Sequence, residues 1–136
     1  MPADTASVSD VVRAVLASKS DDSVVLAIPG TSYRLTFKTS GPIPAQEGKH
    51  VKGRIHGKAL RMHVAHAGGA FIEPVYGQPR IVQGRVRAID SAANRVLVDI
   101  AVPAWLSVAE GQSASEFAVG QLVNMYVESG MTFTPA

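Results

Sequence analysis

The sequence predicts an all-β protein made of two similar small barrels packed together, and three observations carry that reading. Short runs rich in Val, Ile, Phe and Tyr recur between Gly, Pro, Ser and Asp clusters, the punctuation of a barrel or sandwich. From His50 to Lys58 the chain reads H-V-K-G-R-I-H-G-K, a strict alternation that matches the two-residue repeat of a strand. The halves also look like copies. Val24-Val25-Leu26-Ala27-Ile28-Pro29 matches Val96-Leu97-Val98-Asp99-Ile100-Ala101-Val102-Pro103 with a two-residue slip, and G-K-H-V-K-G-R-I from Gly48 matches G-Q-L-V-N-M-Y-V from Gly120. A repeat of roughly 55 to 65 residues suits a small five-stranded barrel.

Taken in order, residues 1–10 are small, polar and acidic and read as a flexible N-terminus. No basic stretch leads into an apolar core there, and no run approaches membrane-spanning length, so the expectation is a cytoplasmic protein without signal peptide or membrane contact. A first barrel is expected over 11–68, with strands at 11–17, 23–28, 33–38, 49–56 and 59–65. The first of these also fits a helix, since Ser9 and Asp10 are capping types and Val11, Val12, Val15 and Leu16 share a helical face. In the third, Tyr33, Leu35 and Phe37 oppose Arg34, Thr36 and Lys38, so the aromatics face the core. A type II′ hairpin at Gly57-Lys58 would set Ile55 opposite Leu60, Gly53 opposite Met62, Arg54 opposite Arg61 and Lys52 opposite His63. Gly68, Gly69, Pro74, Gly77 and Pro79 mark a connection over 69–80. A second barrel follows over 81–136, with strands at 81–89, 95–102, 105–108, 121–128 and 131–134, and with Trp105, after Pro103, as a plug.

The net charge of +2 conceals a polarity along the chain. Residues 34–87 carry ten Lys or Arg against Glu47 and Glu73, whereas 1–33 and 88–136 are net acidic. Such asymmetry steers anions to one face, or attracts one copy's acidic part to another's basic part. The stripe from His50 to Lys58 gives that charge a shape. His50, Lys52, Arg54, His56 and Lys58 fall on one side, with Arg61 and His63 joining across the expected hairpin and Arg85 and Arg87 nearby. Only an anionic partner makes obvious use of such a face; the bland reading is a solvated strand whose charges guard a sheet edge. No aromatic interleaves the stripe, which favours phosphate or partner contacts over base stacking.

Catalysis finds no support in the motifs. Cysteine is absent, which removes disulfides, thiolate metal sites and cysteine nucleophiles together. No nucleophile elbow, Walker sequence or G-x-G-x-x-G occurs, and Asp90, Asp99, Glu110 and Glu116 are not spaced as an acid/base pair. Four histidines lie within His50 to His66, but His63 and His66 point to opposite sides of a strand, so no metal is expected. The expectation is a non-enzymatic binding module without cofactor, engaging nucleic acid or another anion through its basic hairpin. Its apolar content for so short a chain points to a homo-oligomer or another covering subunit, and a structural subunit with no ligand of its own is the contrasting class.

The second half runs V-Q-G-R-V-R-A-I-D, N-R-V-L-V-D-I, then S-V-A-E-G-Q-S-A-S-E-F-A-V-G-Q-L-V-N-M-Y-V-E-S-G-M-T-F. In this order it resembles the small OB-like barrels of the TOBE and molybdenum-binding (MOP-like) kind over 81–134, and more faintly over 11–66. The resemblance implies two tandem OB-like barrels, and an alternative function as a small-oxyanion binder of the molybdate type. It places the binding hydroxyls near Ser107, Ser113 and Ser115. Where the family often has a lysine after the late strand's last aliphatic residue, this chain has Glu128 after Val127 and His56 after Ile55. Gly68-Gly69-Ala70-Phe71-Ile72 resembles the Gly-rich turn of PilZ-type cyclic-dinucleotide barrels, without that family's paired arginines and Asp-Ser signature.

Overall fold

Period-two burial governs the chain from its first strand. In the computed structural model, which describes residues 9–136, β1 (Val12–Lys19) buries Val12, Ala14 and Leu16 and exposes Arg13. It is hydrogen-bonded on both edges, to β2 (Ser23–Ala27) and to β4 (His50–Lys58). The helical alternative for this segment therefore fails, because a helix would leave both ladders unmade. The flexible stretch expected over 1–10 lies outside the described residues except for Ser9 and Asp10.

Strand β3 (Arg34–Lys38) pairs antiparallel with β2 and turns Leu35 and Phe37 inward. The barrel is completed from the far end of the chain. The last strand, β12 (Thr132–Pro135), lies parallel to β3 and antiparallel to β4. The ring β1-β2-β3-β12-β4 then closes through the β1–β4 pairing. Gly53 of β4 makes this approach possible, since a Cβ there would strike the Thr134 carbonyl and the Phe133 ring.

The remaining strands extend the same sheet. They are β5 (His63–Val64), β6 (Phe71–Glu73), β7 (Tyr76–Gly77), β8 (Ile81–Asp90), β9 (Arg95–Asp99), β10 (Pro103–Ser107) and β11 (Leu122–Tyr126). Strands β8, β9 and β10 form an antiparallel meander, and β11 pairs with β8 on its other side. Strand β4 joins the two groups: its end, His56 to Lys58, runs parallel to β10, and the next residue, Ala59, bridges Val127. Among the described residues a single 3-10 turn, Ala114–Glu116, is capped by Ser113. Among the described residues there is no α-helix, and no helix long and apolar enough to cross a membrane.

Strand pairing crosses the boundary that the sequence reading draws at 69–80. That segment contains β6, paired with β8, and β7, paired with β3. One apolar cluster runs through the molecule, including Leu16, Leu26, Phe37 and Phe133 as well as Val82, Val98, Leu106 and Met125.

The hairpin at Gly57-Lys58 is not formed, and this corrects all four expected pairings: Ile55 pairs with Phe133 rather than Leu60, and Gly53 with Pro135 and Val12 rather than Met62. The chain passes straight through both positions in β4, so Arg54 faces Thr134 of β12 rather than Arg61. His63 pairs with Asn124 of β11 rather than with Lys52. Gly57 serves close packing instead of a turn, for a Cβ there would lie 2.8 Å from the Met131 side chain. Of the strand expected over 59–65 only His63–Val64 forms, because the backbone of Met62 is taken up by the side chain of Gln112.

Candidate functional site

The alternation of β4 produces the two faces that it implies. Val51 and Ile55 are buried, whereas His50, Lys52, Arg54 and Lys58 are exposed and His56 is half-buried. The neighbouring strands decide what lies beside each cation. Across the β1 edge Arg13 stands directly opposite Lys52, and across the β12 edge Thr134 stands opposite Arg54. Two like charges directly opposed cost a few tenths of a kcal/mol or more. Among the described residues, Asp10 is the one carboxylate in ion-pair range of this stripe.

Asp10 sits where the two strand groups meet. Arg54 Nε donates to its Oδ1 at 2.9 Å, and the Trp105 indole Nε1 donates to its Oδ2 at 2.8 Å. Trp105 of β10 lies beside His56 in the parallel pairing with β4. Its ring carries the Arg95 guanidinium 4.2 Å from the centroid, and Arg95 Nε donates in turn to Asp90 at 3.1 Å. Asp90, Arg95, Trp105, Asp10 and Arg54 thus form one continuous polar chain over the outer surface of β9, β10 and β4.

Two groups in this chain titrate away from their ordinary values. Partial burial alone would raise the Asp10 carboxyl, but the Trp105 indole and the Arg54 guanidinium outweigh it and hold the carboxyl below its usual range. His56 is lowered, first by burial and next by the Arg95 charge, with Asp10 opposing and Arg54 adding to the effect. At neutral pH His56 therefore contributes a neutral imidazole to the stripe rather than a charge.

The other expected cations lie elsewhere. Arg61 and His63 are exposed beyond the point where β4 ends, on the β11 side of the sheet. Arg85 and Arg87 lie on β8, separated from β4 by β9 and β10. Arg85 Nη1 donates to the Gly120 carbonyl at 3.0 Å, and Arg87, at a bulge in β8, pairs with Asp99 at 3.3 Å. The stripe is accordingly His50, Lys52, Arg54 and Arg13, with His56, Lys58 and Trp105 at one end.

The three serines do not converge. Ser107 pairs in register with Lys58 and lines a cavity of about 290 Å³ shared with His56, Lys58, Glu128, Ser129 and Thr132. Ser113 and Ser115 instead serve the 3-10 turn. Ser113 forms a capping box with Glu116, and the two hydroxyls lie 2.8 Å apart. Among the described residues no three or more His, Asp or Glu are placed to hold a metal ion.

Sequence reasoning missed Asp10, Arg13, Arg95 and the orientation of Trp105. The expected plug is instead half-buried on the outer surface. Its signal was present, for in P-A-W-L-S the small and apolar Ala104 and Leu106 claim the inward positions and leave Trp105 outside. No protein-family model matches the chain, and neither does any curated protein or solved structure.

Proposed function

We propose that the protein is a non-enzymatic binding module whose β4 face engages the phosphates of a nucleic acid. One observation carries the reading: Lys52 and Arg54 project from alternate positions of a rigid strand with Arg13 opposite Lys52. Arg13 and Lys52 have no acidic partner among the described residues. Strand order supports an OB-like description of the closed ring, a fold that commonly carries oligonucleotides on one sheet face. The meander β8-β9-β10 with β11 and the end of β4 repeats the same order of pairings. This supports two OB-like units that exchange their last strands. Trp105 adds an aromatic edge to the surface, which single-strand binders use beside cations.

The test is anisotropy of a labelled single-stranded oligonucleotide titrated at several salt concentrations. Each phosphate contact contributes about 0.7 to the slope of log affinity against log salt for a single strand. Charge reversal at Lys52 and Arg13 is expected to flatten that slope. Absence of binding at low salt overturns the reading.

A second reading rests on the cavity at the end of β4. Lys58 and Ser107 suit a small oxyanion there, and Glu128 on the same wall opposes one. Calorimetry with molybdate, tungstate, sulfate and phosphate separates the two, since a flat response to all four retires it. Leu60 and Tyr126, both largely exposed and joined by the Leu60 N–H to the Tyr126 carbonyl, support coverage of that end by a second subunit. A monomer by sedimentation at high concentration removes that clause.

A further inference from the structure

Asp10 does more than neutralise one arginine. It gives one carboxylate oxygen to Arg54 Nε and the other to Trp105 Nε1. An indole N–H is a donor only and a guanidinium is always charged, so both groups demand an acceptor whatever the pH. They belong to β4 and β10, which are directly hydrogen-bonded to each other, so the backbones that carry the two donors are held in register. Asp10, by contrast, precedes the first residue of β1 and takes no part in a ladder. Arg54 keeps 45% of its side chain exposed, and its Nη groups have no hydrogen bond among the described residues. Two donors on paired strands and an acid beyond the ladder describe a receptor with its own side chain seated in it.

We infer that Arg54 Nε–H and Trp105 Nε1–H form one oxyanion subsite, suited to a phosphodiester of the bound strand, which Asp10 fills in cis until the ligand displaces it. The inference rests on the nucleic-acid reading of β4 and adds to it a named phosphate position and an internal competitor. A phosphodiester presents two unesterified oxygens to two donors, as the carboxylate does, and charge-assisted bonds of this type are the stronger ones. Arg95, stacked on the indole, adds positive potential behind the subsite.

Trp105 is the one tryptophan in the chain, so its emission reports the subsite directly. The experiment compares the wild type, Asp10→Asn and Glu110→Gln, the last removing the same charge from an exposed site that makes no contact with Arg54 or Trp105. Asp10→Asn is expected to bind the oligonucleotide about fivefold tighter, the ratio for displacing a partly exposed ion pair, with Glu110→Gln unchanged within about twofold. Saturating oligonucleotide is expected to shift Trp105 emission in the wild type. If oligonucleotide binds but Asp10→Asn gains no more than Glu110→Gln, or emission does not move, the subsite is overturned while the binding face stands. If none of the three proteins binds at low salt, the reading of β4 fails and the subsite with it. Inorganic phosphate moving the emission as far as the oligonucleotide does would assign the donors to a free anion and overturn their place in a strand-binding face.

Discussion

The side chain of Gln112 pairs with the backbone of Met62 as a strand would, its Oε1 accepting from the Met62 N–H and its Nε2 donating to the Met62 carbonyl, each at 2.9 Å. Both residues are buried, so the amide replaces a ladder that water cannot supply. Gln112→Leu removes both polar atoms and strands both backbone groups, at about 1–3 kcal/mol for each. Urea unfolding is expected to show a loss of several kcal/mol. Gln112→Glu, which keeps an acceptor and loses the donor, should also destabilise at neutral pH.

Gly53→Ala tests the closure of the barrel. The added methyl meets the Thr134 carbonyl and the Phe133 ring, so β12 must move away from β4. Overpacking of this kind costs typically about 1–3 kcal/mol, and amide exchange along β12 is expected to rise more than along β9.

Lys52→Glu separates function from stability. The side chain is exposed and makes no hydrogen bond among the described residues, so stability should stay within about 0.5 kcal/mol of wild type. Oligonucleotide affinity should fall. Arg87→Glu is the contrast: it breaks an exposed pair with Asp99 far from β4, and should leave the salt slope of binding unchanged. Equal loss in both variants would mean that net charge, rather than the β4 face, attracts the ligand.

The pH dependence of stability has two windows. His56 has a folded value below its ordinary 6.5, so its neutral form is the one that the fold accommodates. Its contribution is fully present above the unfolded value and is lost as pH falls below it toward the folded value. His56→Gln is expected to reduce that slope in thermal unfolding. Asp10 acts in a more acidic window, with its contribution present above the ordinary 3.8 and lost as pH falls through the depressed folded value. Asp10→Asn should remove that loss and, because the Asp10 charge opposes the lowering of His56, widen the His56 window toward lower pH.

The two faces of β4 were legible because alternation is a property of nine consecutive residues, H-V-K-G-R-I-H-G-K. Its neighbours were not. Glycine followed by a polar residue is a local hairpin signal, but Gly57 answers to Met131, which is distant in sequence, and no local rule carries that contact. The same limit hid Asp10, whose partners Arg54 and Trp105 come from two different strands. Trp105 was misplaced for a different reason: its size was weighed above its parity, although Ala104 and Leu106 already filled the inward positions.

The ring that opens with Val12 is closed by Thr132–Pro135, and this bears on how the chain is made. On the ribosome, β1 to β4 emerge long before their fifth neighbour, leaving the facing edges of β3 and β4 without their final partner while residues 59–131 are still to be translated. Unpaired edges invite association with other nascent chains, and contacts so distant in sequence form slowly. Loss of Thr132–Pro135 would accordingly leave that ring open, so β12 sets when β1 to β4, made before it, become native.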